Sequence, residues 1–263
     1  SEIHDIMSTS RLGRSEGLEK YWSEHLGDRP ETDVAIKSIN REHVESFPEV
    51  ADYPFDGQIK LTGTFAFEIP SRNNGSFTQT GEYEYRTASE LFLVETPTDL
   101  VDAEDVFTDL NQQLASTAEI QRALSLPRDS FWRFIEEADT IETLILRGRG
   151  GTYDAAKLLS VLQYDDPVET LHTNPEFSDL RSIEDIEDII SAVDTPSEVD
   201  GIQDLNIDIY STIIDEVKAT YWFCDRAADV WYKRGVLQLD AEDVDAREYV
   251  IQLFERDVVH GGV

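Results

Sequence analysis

Cysteine, lysine and long apolar runs are what this chain is short of, and each shortage excludes something. The single cysteine, Cys224, rules out an internal disulfide and a cysteine-based zinc site. No run approaches the roughly 18 apolar residues of a membrane span, and the N-terminus lacks the apolar stretch of a signal peptide. These absences predict a protein of the cytoplasm, or of a particle assembled there, with no membrane contact. Histidine is also sparse. His4, His25, His43, His172 and His260 stand far apart, with no His-Glu-x-x-His or His-x-His spacing.

Lysine is the more telling shortage. Only Lys20, Lys37, Lys60, Lys157, Lys218 and Lys233 are present, so arginine supplies the other sixteen of the 22 basic residues. Against them stand 55 Asp and Glu, for a formal net charge of -33. Self-repulsion of that size strains a compact state at physiological ionic strength, where the Debye length is about 8 Å. In molar salt that length falls to about 3 Å and the penalty largely disappears. An acidic, lysine-poor chain resembles in composition the proteins of salt-in halophiles, the haloarchaea above all, and the resemblance names no family. It fits a virus of such a host equally well. A nucleic-acid mimic or a partner for a basic protein is the rival explanation, but the acidity recurs in nearly every row of ten rather than in one block.

What is plentiful supports folding. Apolar residues make up 40% of the chain and aromatics 10%, enough to build a core and to exclude disorder throughout.

The pattern divides three ways. Residues 1–54 read as an N-terminal arm, with Ser15 capping a short amphipathic helix that carries Leu18, Tyr21, Trp22 and Leu26 and stops at Gly27. Burying Trp22 requires its own domain or a partner, so these four residues are a candidate partner-binding arm. Residues 55–126 read as a sheet-plus-helix unit. Period-two alternation from Ile59 to Ile69, a turn at 71–75, and further strands through Tyr83, Tyr85 and Leu91 to Val94 lead to a helix capped at Asp102. Residues 127–263 read as a second α+β unit. It holds helices after Pro127, Gly151 and Pro167, a weaker helical stripe at 183–190, strands at 141–146, 217–223, 230–232 and 237–239, and a last helix with Tyr249, Val250, Leu253 and Phe254 buried. The fold class is therefore α+β, with antiparallel sheets and packed helices. Asp-Ala-Glu-Asp-Val occurs at 102–106 and again at 240–244, each time at the head of a helix, which two related strand–strand–helix units would explain.

Chemistry-bearing motifs are few. Arg147-Gly148-Arg149-Gly150-Gly151 joins a strand to a helix, a setting in which free backbone N–H groups and two guanidiniums can hold a phosphate or carboxylate. It matches neither a Walker A loop, since Thr152-Tyr153 follows Gly151, nor the dinucleotide fingerprint, since Tyr153 stands where a glycine is needed. A turn whose arginines pair with nearby carboxylates is the plainer account. The acidic stretch around 184–204 does not fit the EF-hand frame, and no Gly-x-Ser-x-Gly elbow is present. Cys224, at a strand end without a histidine beside it, reads as a packed core or rim thiol. Trp222 and Trp231 are placed to face each other across a hairpin.

These readings predict no catalytic residues, no metal and no cofactor. The expected function is a non-catalytic assembly or adaptor protein acting through a protein partner or self-association. The alternatives are a component of a nucleic-acid-handling or defence complex that uses Arg147 and Arg149 on phosphates, and an enzyme of unknown type.

Overall fold

The computed structural model describes residues 9–16, 37–70, 76–96, 111, 119–121, 126–148, 150–183, 185–199 and 201–261. The fold is α+β: helices packed on an eleven-stranded sheet. The strands are β1 (Thr9–Glu16), β2 (Lys37–His43), β3 (Ile59–Pro70), β4 (Ser76–Arg86), β5 (Leu91–Thr96), β6 (Glu119–Gln121), β7 (Thr140–Gly148), β8 (Gly151–Asp154), β9 (Ile213–Phe223), β10 (Arg226–Lys233) and β11 (Val236–Ala241). Their order is β2-β3-β4-β5-β1-β11-β10-β9-β7-β8, with β6 pairing to β1, and every pairing is antiparallel.

Two three-stranded meanders, β3-β4-β5 and β9-β10-β11, are joined edge to edge by β1. Leu12 pairs with Leu93 on one side and Leu237 on the other, and its side chain is buried on the helix-covered face. This corrects the expectation of a polar arm. Ser15 lies in β1 rather than capping a helix, and residues 37–43 add the edge strand β2. A strand with little apolar periodicity was invisible because its neighbours, not its own pattern, bury it. The candidate arm residues Leu18, Tyr21, Trp22 and Leu26 lie outside the described residues, as does the first Asp-Ala-Glu-Asp-Val copy.

Five α-helices are described: α1 (Arg128–Glu136), α2 (Ala155–Leu162), α3 (Pro167–Thr173), α4 (Ile186–Ser191) and α5 (Val244–Phe254), the last continuing into a π-helical turn at Glu255–His260. Aspartates start three of them in the expected manner. Asp154 accepts from Ala156 N, Asp166 from Glu169 N, and Asp243 from Asp245 N and Ala246 N. Phe131, Phe134 and Ile135 of α1 and Val250, Leu253 and Phe254 of α5 sink into one core with Val217, Tyr221, Val230 and Leu239 of the sheet. Phe134 stacks on Tyr221 and meets Phe254 edge-on.

The opposite face differs between the two halves. Across β3-β4-β5, Leu61, Phe65, Tyr83, Tyr85, Phe92 and Val94 share that face by register and are all buried. Across β9 and β10 the same face is open, and exposed residues alternate with buried ones along β10 from Ala227 to Lys233. This explains why β5 reads as uniformly apolar whereas β9 and β10 read as alternating.

Candidate functional site: an open sheet face and a buried charge cage

Two features gather the polar chemistry of the chain, and the first is one that the sequence reading did not name. Arg86, at the end of β4, is fully buried. Its Nε donates to Glu84 at 2.7 Å, its Nη1 to Glu255 at 2.9 Å, and its Nη2 to Glu248. Glu255 is itself saturated: Tyr53 Oη and Ser89 Oγ donate to its two oxygens, and Gln58 Nε2 donates at 2.9 Å. Arg247 Nη1 closes the cage by donating to Glu84 at 2.9 Å. Burial works against the charge of Arg86, but Glu255, Glu84 and Glu248 more than offset it and raise its pKa. Burial likewise works against Glu84, yet Arg86 and then Arg247 hold its carboxyl well below the usual range. Burial, reinforced by the Glu255 carboxylate, pushes the Tyr53 phenol far up.

Each polar group of the cage is turned inward onto another, which makes it a clamp. It fastens β4 and the 44–58 segment to α5 and the π-helical turn. A recess of about 400 Å³ opens beside it, between β2-β3-β4 and the head of α5. Its two cations are already engaged, Lys60 with Glu42 at 3.7 Å and Arg247 with Glu84. Among the described residues no group of three or more His, Cys, Asp or Glu is placed to hold a metal. One signal for the cage lay in the sequence. Glu248, Gln252 and Glu255 recur at helical spacing through the apolar run of α5, and carboxylates in a core stripe need buried partners.

The second feature is the open face of β7, β9, β10 and β11. Trp222 and Trp231 stand on it, 50% and 37% exposed. They do not face each other. The register sets Trp231 opposite Lys218 and Trp222 opposite Ala227, so the indoles lie four residues apart along the strands. Ile213, 41% exposed, pairs with Arg147 at the far end of the same face. Three of the six large hydrophobic side chains exposed among the described residues therefore share one face.

Its charges nearly cancel. Arg147, Lys218 and Lys233 meet Glu216, Asp229 and Asp240 and the two bulge residues Glu142 and Asp215, a balance of two negative charges in a chain of -33. The pairing is tight: Arg147 to Asp215 at 2.9 Å, Lys233 to Glu216 at 2.8 Å, and Trp231 Nε1 donating to Glu216 at 3.1 Å. The hydrogen bonds from Lys233 and Trp231 lower the pKa of Glu216. Thr220 Oγ1 donates to Asp229 at 2.6 Å across the hairpin.

The glycine-rich loop is built differently from the expected strand-to-helix junction. β7 turns back into β8 through Gly148 and Gly151, which pair with each other. Three further strand residues then separate Gly151 from α2, the last of them, Asp154, capping its N-terminus. Gly151 has φ +132°, and a Cβ there would lie 2.9 Å from Ile183 Cδ1, so this turn requires glycine. Gly150 sits in the turn, Arg147 is held by Asp215, and Arg149 lies outside the described residues. Cys224 is exposed and not packed. With Asp225 it forms the two-residue β9–β10 turn, both at positive φ, as a twist-matched hairpin demands.

No protein-family model matches the chain, and no curated protein matches it in sequence.

Proposed function

We propose that this protein is a non-catalytic assembly or adaptor component that works through protein–protein contacts in a cytoplasm of molar salt. The observation that carries the reading is the open β7-β9-β10-β11 face, where Trp222, Trp231 and Ile213 are exposed and the charges nearly cancel. In molar salt only charges in direct contact still repel, so on a chain of -33 a face of mixed charge with aromatic anchors is where a protein can settle. The carboxylate excess and the six lysines support the halophilic setting, of haloarchaeal type and cellular or viral.

The test is a double variant, Trp222→Glu with Trp231→Glu, isolated from a molar-KCl extract and compared with the unaltered chain by native mass. The reading expects the complex to be lost while circular dichroism keeps the native secondary structure and stability falls only by about 1 kcal/mol, the scale of the lost Trp231–Glu216 hydrogen bond. A complex of undiminished mass would overturn it.

One observation favours a second reading, a part in a nucleic-acid-handling complex. Arg147, Lys218 and Lys233 share their face with two exposed indoles, and base stacking persists where salt weakens phosphate contacts. Nuclease treatment that dissolves the complex would select this reading over the first.

A further inference from the structure

We infer that the occupant of the open β7-β9-β10-β11 face is a second copy of this chain, paired face to face. The inference rests on the docking reading above and adds the identity of the partner.

The first argument is electrostatic. In molar salt the repulsion of -33 against -33 is screened beyond about 3 Å, so only charges brought into contact still oppose pairing, and they oppose it least where both signs face each other. This face carries both signs in near balance, with Lys218 and Lys233 close to Glu216 and Asp229 on two adjacent strands. A two-fold pairing requires one patch to complement itself. Here Lys218 of one copy can meet Asp229 of the other, in both directions at once, while Lys233 stays with Glu216 of its own chain. A strongly basic partner would find more carboxylates elsewhere on a chain of -33, and a purely acidic one would meet five carboxylates against three cations.

The second argument is size. Four strands about 4.8 Å apart, with roughly seven residues each at about 3.3 Å, give a plan area of about 450 Å² per copy. Two copies then cover about 900 Å² in plan, below the roughly 1,200 Å² at which standard stable interfaces begin. The pair is therefore a weak, concentration-dependent dimer anchored on Trp222 and Trp231, not an obligate one.

Light scattering on the purified chain in about 3 M KCl, at concentrations up to about 0.5 mM, measures this directly. The expected mass climbs from 29.9 kDa toward twice that value. Lys218→Glu and Asp229→Lys, each on the face and exposed, should separately hold the mass near one chain. An equimolar mixture of the two should restore the dimer. A mass of one chain at every concentration overturns the inference, as does a dimer that both single variants leave intact. If the chain is monomeric alone but the double tryptophan variant still loses a complex in the extract, only the self-pairing fails and the docking reading stands. If no complex depends on the tryptophans, both fail.

Discussion

Arg86 is a fully buried guanidinium with three carboxylates around it, and its removal shows what the cage is worth. Arg86→Met leaves Glu84, Glu248 and Glu255 facing one another in the interior. Breaking a buried pair from one side typically costs about 3–5 kcal/mol, and here the remaining charges also repel. Denaturant unfolding in molar KCl should show a loss at the upper end of that range or beyond it; a loss under about 1 kcal/mol would mean the cage is not the clamp described. Glu84 makes the same point through pH. Its folded pKa lies below the usual 4.5, so its contribution is fully present above that value and is lost as pH falls through the depressed folded pKa. The stability gap between the unaltered chain and Glu84→Gln should be widest above pH 4.5 and shrink progressively in stronger acid. A gap that widens in acid would contradict the assignment. Gly81 tests packing on the other face. It pairs with Phe65, and a Cβ there would sit 2.4 Å from the ring and 2.8 Å from the Glu95 carbonyl oxygen. Gly81→Ala should therefore destabilise by about 1–3 kcal/mol, measured by the same unfolding assay.

Among the elements, β1 matters most to the fold. It is the strand through which the β3-β4-β5 and β9-β10-β11 meanders share one sheet. Leu12→Ala, which removes packing between Leu93 and Leu237, should cost about 2–5 kcal/mol. Hydrogen exchange should show β5 and β11 amides losing protection together, whereas loss in one meander alone would mean that β1 does not couple them. The strands of the meanders, α1, α2, α3 and α5 were legible because each carries its own periodicity, cap or flanking proline. β1 was not, since a strand flanked on both sides draws its burial from Leu93 and Leu237 rather than from an alternation of its own. β8 was missed for a related reason: a four-residue strand that opens on the turn glycine Gly151 and ends on the helix cap Asp154 is too short to show a period. At the open face, the two tryptophans could be named from sequence, but their offset is a matter of register, which no local pattern reports. The second Asp-Ala-Glu-Asp-Val copy does begin a helix after a meander, with Asp243 as its cap.

For the whole molecule, the sheet is covered on both sides in one half and on one side only in the other, so its open face lies over the C-terminal meander and β7. The cage faces inward and holds elements together, while the open face presents aromatics, threonine and balanced charge outward. The account's central claim is that this face is where the protein meets another. Photo-crosslinking from positions 222 and 231 in a native molar-KCl extract tests it most directly, with position 244 as control. Val244 is 75% exposed and sits at the head of α5, on the helix-covered side. The account predicts protein adducts from 222 and 231 and none from 244. Adducts from 244 alone, adducts to nucleic acid, or none from the tryptophan positions would contradict it.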